Sequence, residues 1–349
     1  MKQGWKYKTF TECINKIPKQ KQVKSKDYKP IGRFPIVSQE KELISGYWDD
    51  ESYVYRHSKP IIIFGDHTKE IKYIDFDFVV GADGTQILSP KDDIDTRFFY
   101  YYLLATPIRS LGYARHFKLL KEKSFYIPSL DEQRSIVARL DAAFAKIDAL
   151  KANVERQLEE ARALFNRALA KEMRPKEEWK EYVFGEIIKL QSGDNLPTKK
   201  IVAGEYPVYG GNGIAGYHNR FNKNGINIVV GRVGALCGNV HYVSTPFWLT
   251  DNGFEVIIDK AINVDKKFIS IYLRYLDLGK YARQAAQPVI SNASLKDIRM
   301  FIPPLPNQSQ IVARLDALSA NVRQLEEVQR KTLTECDALK QALLKETFE

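Results

Sequence analysis

Ile136-Val137-Ala138-Arg139-Leu140-Asp141-Ala142 occurs a second time, letter for letter, as Ile311-Val312-Ala313-Arg314-Leu315-Asp316-Ala317. The copies stand 175 positions apart, half of a 349-residue chain. Each follows an apolar-proline step, Tyr126-Ile127-Pro128 or Phe301-Ile302-Pro303, and opens a long stretch almost free of Gly and Pro. Repetition on this scale sets architecture before local propensity does. It implies two equivalent modules joined by two equivalent helical rods.

Ser129-Leu130-Asp131-Glu132 reads as a capping box at the start of the first rod. Apolar residues then fall at Ile136, Leu140, Ala143, Ile147, Leu150, Val154, Leu158, Ala161, Phe165 and Ala168. Their three-four alternation slips once, at Val154–Leu158, a stutter that locally unwinds a supercoil. The second rod gives Ile311, Leu315, Leu318, Val322 and Leu325, then polar Gln329 and Thr332, then Cys336, Leu339 and Leu343. Pro306 suits its first turn, where no N–H partner is needed. Roughly 40 residues of helix measure about 60 Å. One narrow seam per helix is the pattern of a two-helix coiled coil. Each rod leaves one module and heads for the other, so the pairing is expected to be antiparallel. The competing reading packs each seam onto its own module, although a core helix seldom runs so long.

Composition bounds the partners. Hydrophobic residues make up 44%, enough for a core. No apolar run approaches 18 residues, so no membrane span is expected. The opening Met1-Lys2-Gln3-Gly4-Trp5-Lys6 lacks the apolar stretch of a signal peptide. Cys13, Cys237 and Cys336 are far apart and odd in number, which fits reduced thiols, points to a cytoplasmic location and excludes a Cys-rich zinc site. A formal charge of +10 and a pI near 9.2 favour a polyanionic partner through counterion release.

The repeat divides the chain into residues 1–128, a first module; 129–174, the first rod; 175–303, a second module; and 304–349, the second rod. The modules echo one another. Trp5-Lys6-Tyr7-Lys8-Thr9-Phe10 answers Trp179-Lys180-Glu181-Tyr182-Val183-Phe184, and Phe34-Pro35-Ile36-Val37 answers Tyr206-Pro207-Val208-Tyr209. Ser45-Gly46-Tyr47 answers Ala215-Gly216-Tyr217. Ile61 to Gly65 answers Ile228 to Gly231, and Asp95-Thr96-Arg97-Phe98 answers Asp265-Lys266-Lys267-Phe268. Short strands, glycine turns and a few helices make each module α+β. The aromatics Phe98 to Tyr102 read as core. The expected fold is therefore two similar α+β modules separated by a long antiparallel two-helix coiled coil, with pseudo-twofold internal symmetry.

With these strings in place, the chain resembles the specificity subunit of a Type I DNA restriction–modification system. The likeness rests on module–rod–module–rod order and on ordered motifs of the second module. These are Tyr206 to Tyr217, Gly231-Arg232-Val233-Gly234-Ala235, Gly238-Asn239-Val240, Thr250-Asp251-Asn252, Gln287 to Leu295, and Ile302 to Gln308. The first module departs from the pattern, with Gln39-Glu40-Lys41 near the place of the glycine run and Gly65-Asp66-His67-Thr68 in place of Gly-Arg-Val-Gly. The resemblance implies that each module is a target-recognition domain reading one half of a split double-stranded DNA site. The rods then span an unread gap and dock two methyltransferase subunits; restriction–translocase subunits join in the full complex. It implies no cofactor in this chain, with S-adenosylmethionine and ATP on the partner subunits.

Candidate DNA-contacting residues follow from charge and hydrogen-bonding capacity. In the first module they are Lys19, Lys21, Lys24, Lys26, His67, Lys69, Arg109, Arg115 and Lys118, with Lys72 on the same basic face. In the second they are Lys199, Lys200, Asn212, Tyr217, His218, Arg220, Arg232, Arg283, Gln287, Ser291 and Asn292, with Gln284 in the same polar loop. Most lysines suit phosphate, which positions without specifying. Arg232 fits three roles: a bidentate guanine contact, a phosphate contact, or a buried ion pair. Gly211-Asn212-Gly213-Ile214-Ala215-Gly216 matches G-x-G-x-x-G, but turn-forming residues follow it, so no helix N-terminus is expected to meet a pyrophosphate.

Catalytic signatures are missing from the sequence. It has no Asn/Asp-Pro-Pro-Tyr/Phe tetrapeptide to hold a flipped base, no G-x-x-x-x-G-K-S/T loop, no G-x-S-x-G turn and no H-E-x-x-H pair. His57, His67, His116, His218 and His241 lack ligand spacing. Asp66 and Asp83 imitate a nuclease carboxylate pair without its strand pattern. The expectation is a non-catalytic subunit. The rivals are a stand-alone DNA methyltransferase or nuclease, and a non-specific coiled-coil scaffold.

Overall fold

The computed structural model describes residues 4–112, 114–283 and 287–349. The chain forms two compact units, Met1–Glu155 with Arg330–Glu349, and Arg156–Gln329. In the first unit, β1 (Lys6–Thr9), α1 (Phe10–Cys13), β2 (Ile14–Asn15) and β3 (Gln22–Val23) lead into β4 (Phe34–Val37), β5 (Gly46–Trp48) and β6 (Val54–Tyr55). Then come β7 (Ile61–Gly65), β8 (Ile71–Ile74), β9 (Phe78–Gly81), β10 (Thr85–Pro90), α2 (Thr96–Ala105), α3 (Phe117–Lys121) and β11 (Ser124–Ile127). The helix α4 (Leu130–Glu172) is the first rod.

The same succession returns in the second half of the chain. It runs β12 (Lys180–Val183), α5 (Phe184–Ile187), β13 (Ile188–Ser192), β14 (Tyr206–Gly210), β15 (Gly213–His218), β16 (Asn227–Gly231) and β17 (Val240–Val243). After these stand β18 (Trp248–Leu249), β19 (Gly253–Ile258), α6 (Lys266–Tyr275), α7 (Asn292–Leu295), β20 (Arg299–Ile302) and the second rod, α8 (Leu305–Phe348). Strand order β13-β19-β16-β17 repeats β2-β10-β7-β8, and the pair β12-β20 repeats β1-β11. The third sheet diverges: β3-β9-β4-β5 with β6 on β9 in the first unit, only β15-β14-β18 in the second. Strands β7 and β16 are buried along their whole length, as a short apolar run in a central strand must be.

Hydrogen bonds repeat along with the topology. Asp95 caps α2 by accepting the Arg97 and Phe98 N–H groups, and Asp265 caps α6 through Lys267 and Phe268. The Gln133 side chain is fully buried where the first rod leaves its module. Its Oε1 accepts the Asp95 N–H at 2.7 Å, and its Nε2 donates to the Pro128 and Asp93 carbonyls at 2.9 and 3.0 Å. Gln308, equally buried, accepts from Asp265 N–H at 2.7 Å and donates to Pro303 O at 2.8 Å. The Tyr102 hydroxyl accepts the Tyr126 N–H, as the Tyr272 hydroxyl accepts that of Phe301. Arg97 pairs with Asp141 at 2.9 Å and Lys267 with Asp316 at 3.5 Å. The duplicated heptapeptide is thus partly explained, because its aspartate is the rod's anchor on α2 or α6.

Pairing of the rods is visible inside each unit. In the first, Lys151 meets Asp337 at 2.7 Å and Lys340 meets Asp148 at 2.5 Å. In the second, Arg162 meets Glu326 at 2.9 Å and Arg314 meets Glu172 at 3.3 Å. Numbers rise along one helix as they fall along the other, so the pairing is antiparallel. Buried Gln329 donates to Gln157 at 3.5 Å, a polar layer in the seam.

Three sequence expectations are corrected. Leu150 and Leu339, placed on the seam, are 47% and 50% exposed. Lys151 and Lys340 take their places, laying alkyl stems over the seam while the ammonium groups reach acids of the opposite rod. The Ser129 capping box is half formed: Ser129 Oγ accepts the Glu132 N–H at 3.4 Å, but Glu132 Oε1 accepts the Trp5 indole N–H at 2.9 Å. The competing own-module packing holds only for the first turns. Ile136 and Leu140 enter the core with Phe98, Phe99 and Phe125, and Ile311 and Leu315 enter that of the second unit. Phe98, Phe99, Tyr101 and Tyr102 are core, as the sequence suggests.

Two outcomes are expected. Gln133→Leu leaves buried N–H and C=O groups without partners, which costs about 1–3 kcal/mol. Its urea midpoint should fall, and Gln133→Glu, unable to donate to the two carbonyls, should not restore it; an unchanged midpoint for the Leu variant contradicts the joint described. Burial pushes the Cys13 thiol up to about 12, and Cys237 and Cys336 are also buried. A thiol reagent at pH 8 should therefore label none of the three quickly until denaturant is added. Rapid labelling of Cys13 in the native protein contradicts its packing.

Candidate nucleic-acid interface

In the second unit four loops meet at one end of the sheets. Strands β14 and β15 form a hairpin closed by Gly210-Gly211-Asn212-Gly213, with Gly213 at φ +88°. A Cβ on Gly211 would stand 2.3 Å from Val233 O, and one on Gly231 2.3 Å from Gly211 O. The hairpin and the end of β16 therefore touch backbone to backbone, which only glycine permits. Main-chain bonds bind in the other loops. Thr250 N–H donates to Tyr209 O at 2.9 Å, Arg232 N–H to Asn252 O at 3.0 Å, and Gly234 N–H to Pro288 O at 3.1 Å. Their side chains leave a cleft of about 320 Å³ that Asn212, Ile214, Val233, Thr250, Asn252 and Gln287 help to line. The G-x-G-x-x-G string is a hairpin turn followed by a strand, and its glycines serve this contact.

The remaining second-unit candidates divide. Lys199, Lys200, Tyr217, Arg220 and Arg283 are exposed. Lys199 and Lys200 follow Thr198 of the cleft wall. Arg232 lies 5.4 Å above the Phe254 ring and donates to Asp251 O at 3.2 Å and Ser192 Oγ at 3.4 Å. Among the described residues it forms no ion pair, so that role is not the one built. Three more candidates have partners within the fold. His218 is buried, and its Nδ1 accepts the Val202 N–H at 3.0 Å, holding the 198–202 loop. Ser291 Oγ caps α7 by accepting the Ser294 N–H. Asn292 bonds both amide atoms to the Leu190 backbone at 2.8 and 2.9 Å, tying α7 to β13. Gln284 lies outside the described residues.

The first unit builds its equivalent place differently. At the end of β7, Thr68 Oγ1 donates to Gln39 O at 2.6 Å, and Gln39 Oε1 accepts the His67 N–H at 3.0 Å. Gln39 is the residue that sequence reading missed; its only signal is its position opposite the glycine run. Lys19 and Arg115 line a cleft of about 380 Å³ together with Asp66 and Asp83. Asp66 is buried; one oxygen accepts the Phe117 N–H at 2.8 Å and the other stands 4.0 Å from Arg115. Lys21 donates to Ser52 Oγ at 3.1 Å, over the Tyr53 ring. Lys24, Lys26, Arg109 and Lys118 are exposed, and half-buried Lys69 adopts φ +64° in the β7–β8 turn. Lys72 does not join the basic face. It is buried, donates to the Ser38 and Glu42 carbonyls, and is held below the usual lysine range by burial.

Among the described residues, no helix is long and apolar enough to cross a membrane, and no cluster of three metal-ligating side chains occurs. Comparison with known proteins adds the family. The model described as Type I restriction modification DNA specificity domain matches residues 2–160 and again 176–335. The specificity subunit of the Escherichia coli Type I restriction enzyme EcoprrI is 33% identical over 158 residues, 44% of this chain and 39% of that protein. That of Escherichia coli EcoR124I/EcoR124II is 31% identical over 195 residues, 51% of this chain and 47% of that one. The matches thus span less than half the length of these relatives. A chain solved in a study of complex assembly and conformational transition of the type I R-M system superposes with TM-score 0.72 at 18% identity, covering 99% of this chain and 98% of its own length. The HsdS subunit from Thermoanaerobacter tengcongensis gives 0.51 at 18% identity, covering 99% and 97%. At such identity the likeness is one of fold. Matched by its model in both halves, the chain belongs to the Type I restriction modification DNA specificity family.

Proposed function

We propose that this chain is the DNA sequence-specificity subunit of a Type I restriction–modification complex, with one module for each half of a bipartite target. The observation that carries the reading is one frame built twice with two different linings. Two of the three sheets, the capping aspartates and the buried glutamines repeat, while the clefts at the ends of β7 and β16 do not. Equal frames with unequal loops suit two half-sites of different sequence. Exposed cations such as Lys24, Lys26, Lys199, Lys200, Arg220 and Arg283 suit phosphates, which set position and a steep salt dependence. Bond-making belongs to partners in this reading: two methyltransferase subunits with S-adenosylmethionine, and restriction–translocase subunits with ATP.

Selection from random duplexes by the full chain with its methyltransferase subunits tests the proposal. It should enrich two short sequences at a fixed separation. Labelled S-adenosylmethionine and DNA, incubated with the chain alone, should give no transfer. A single uninterrupted motif, no motif, or methylation by the chain alone would each defeat it.

A further inference from the structure

The two clefts differ in the chemistry they offer a base edge. In a chain of net charge +10, the lining of the second-unit cleft holds no charged side chain among the described residues. Its hydrogen-bonding groups are the amides of Asn212, Asn252 and Gln287 and the hydroxyls of Thr198 and Thr250. Ile214, 50% exposed, supplies apolar surface beside them. The first-unit cleft, by contrast, presents Lys19, Arg115, Asp66 and Asp83. An amide carries a donor and an acceptor side by side in one plane. That is the complement of adenine N6 and N7, whereas guanine offers two acceptors that suit Arg or Lys, and cytosine a donor that suits a carboxylate. The thymine methyl calls for an apolar contact.

We propose that the uncharged cleft of the second unit reads adenine·thymine pairs, with the Asn212 and Gln287 amides on adenine and Ile214 against the thymine methyl. Asn212 is exposed at the hairpin tip and Gln287 is exposed on the facing loop. The glycines at 211, 213, 231 and 234 keep the backbone low around them. Lys199, Lys200 and Arg220 stand on the neighbouring segments and hold the phosphates. This inference rests on the specificity-subunit reading and adds which base pairs one half-site contains.

The test uses the full chain in complex with its methyltransferase subunits. Random-duplex selection is run on wild type, Asn212→Ala, Gln287→Ala, Asn212→Arg and, for comparison, Lys199→Ala. In Asn212→Ala and in Gln287→Ala, preference for an A·T pair should fall about 5- to 150-fold, the worth of one bidentate contact. The change should appear in the same half-site for both variants, with the other half-site untouched. Asn212→Arg should move the preferred base at its position from adenine to guanine. Lys199→Ala should weaken all sequences alike and flatten the salt dependence. Since Asn212 and Gln287 are exposed, melting temperatures should match wild type. Unchanged preference in both alanine variants, or loss confined to G·C positions, would overturn the inference while leaving the specificity reading intact. A wild-type complex that enriches nothing would remove that reading, and this inference with it.

Discussion

The apolar face of the first rod is covered only in part by its own module. Ile136 and Leu140 share a core with Leu344 and Phe348, from the last turns of the second rod. Phe348 stacks on Tyr102 at 4.5 Å and meets Phe98 edge-on at 5.4 Å. In the second unit Ile311 and Leu315 share a core with Met173, at the far end of the first rod. The core of each unit thus takes in residues from both rods. Burying one such side chain is worth about 1.5–3 kcal/mol, a large part of the marginal stability of any domain.

The rods could pair and still leave the modules loosely attached. Gln133 and Gln308 prevent this. Each buried amide accepts from the N-cap residue of α2 or α6 and donates to the proline carbonyl that precedes its rod. A rod direction is thus coupled to a module helix by groups that cannot be left unmade without desolvation cost. The Arg97–Asp141 and Lys267–Asp316 pairs add a second, partly exposed tie. Since the clefts lie at the ends of β7 and β16, in the sheets against which α2 and α6 pack, cleft orientation follows from these joints.

Much of this was legible in the residues. The duplicated heptapeptide gave two rods, and the echoed strings landed on equivalent strands and caps: Phe34–Val37 on β4 and Tyr206–Tyr209 on β14, Asp95 and Asp265 at their helix starts. Period and capping are local, so sequence carries them. Partners remote in sequence are not local, and a residue pattern does not announce them. His218, Asn292 and Lys72 looked like free polar groups, but each bonds backbone atoms that only the fold brings near. Leu150 and Leu339 left the seam because neighbouring lysines could cover it and pair across it. The glycines announced turns, but the mutual approach of Gly211 and Gly231 is a contact between segments apart in sequence, which a local pattern does not carry.

Zero-length carbodiimide coupling followed by peptide mass spectrometry tests the central claim most directly. The antiparallel seam predicts links from Lys151 to Asp337 and from Lys340 to Asp148, whose charged atoms stand 2.7 and 2.5 Å apart. Links from Lys151 to acids in the first half of the second rod, or rod lysines coupled only within their own helix, would contradict it.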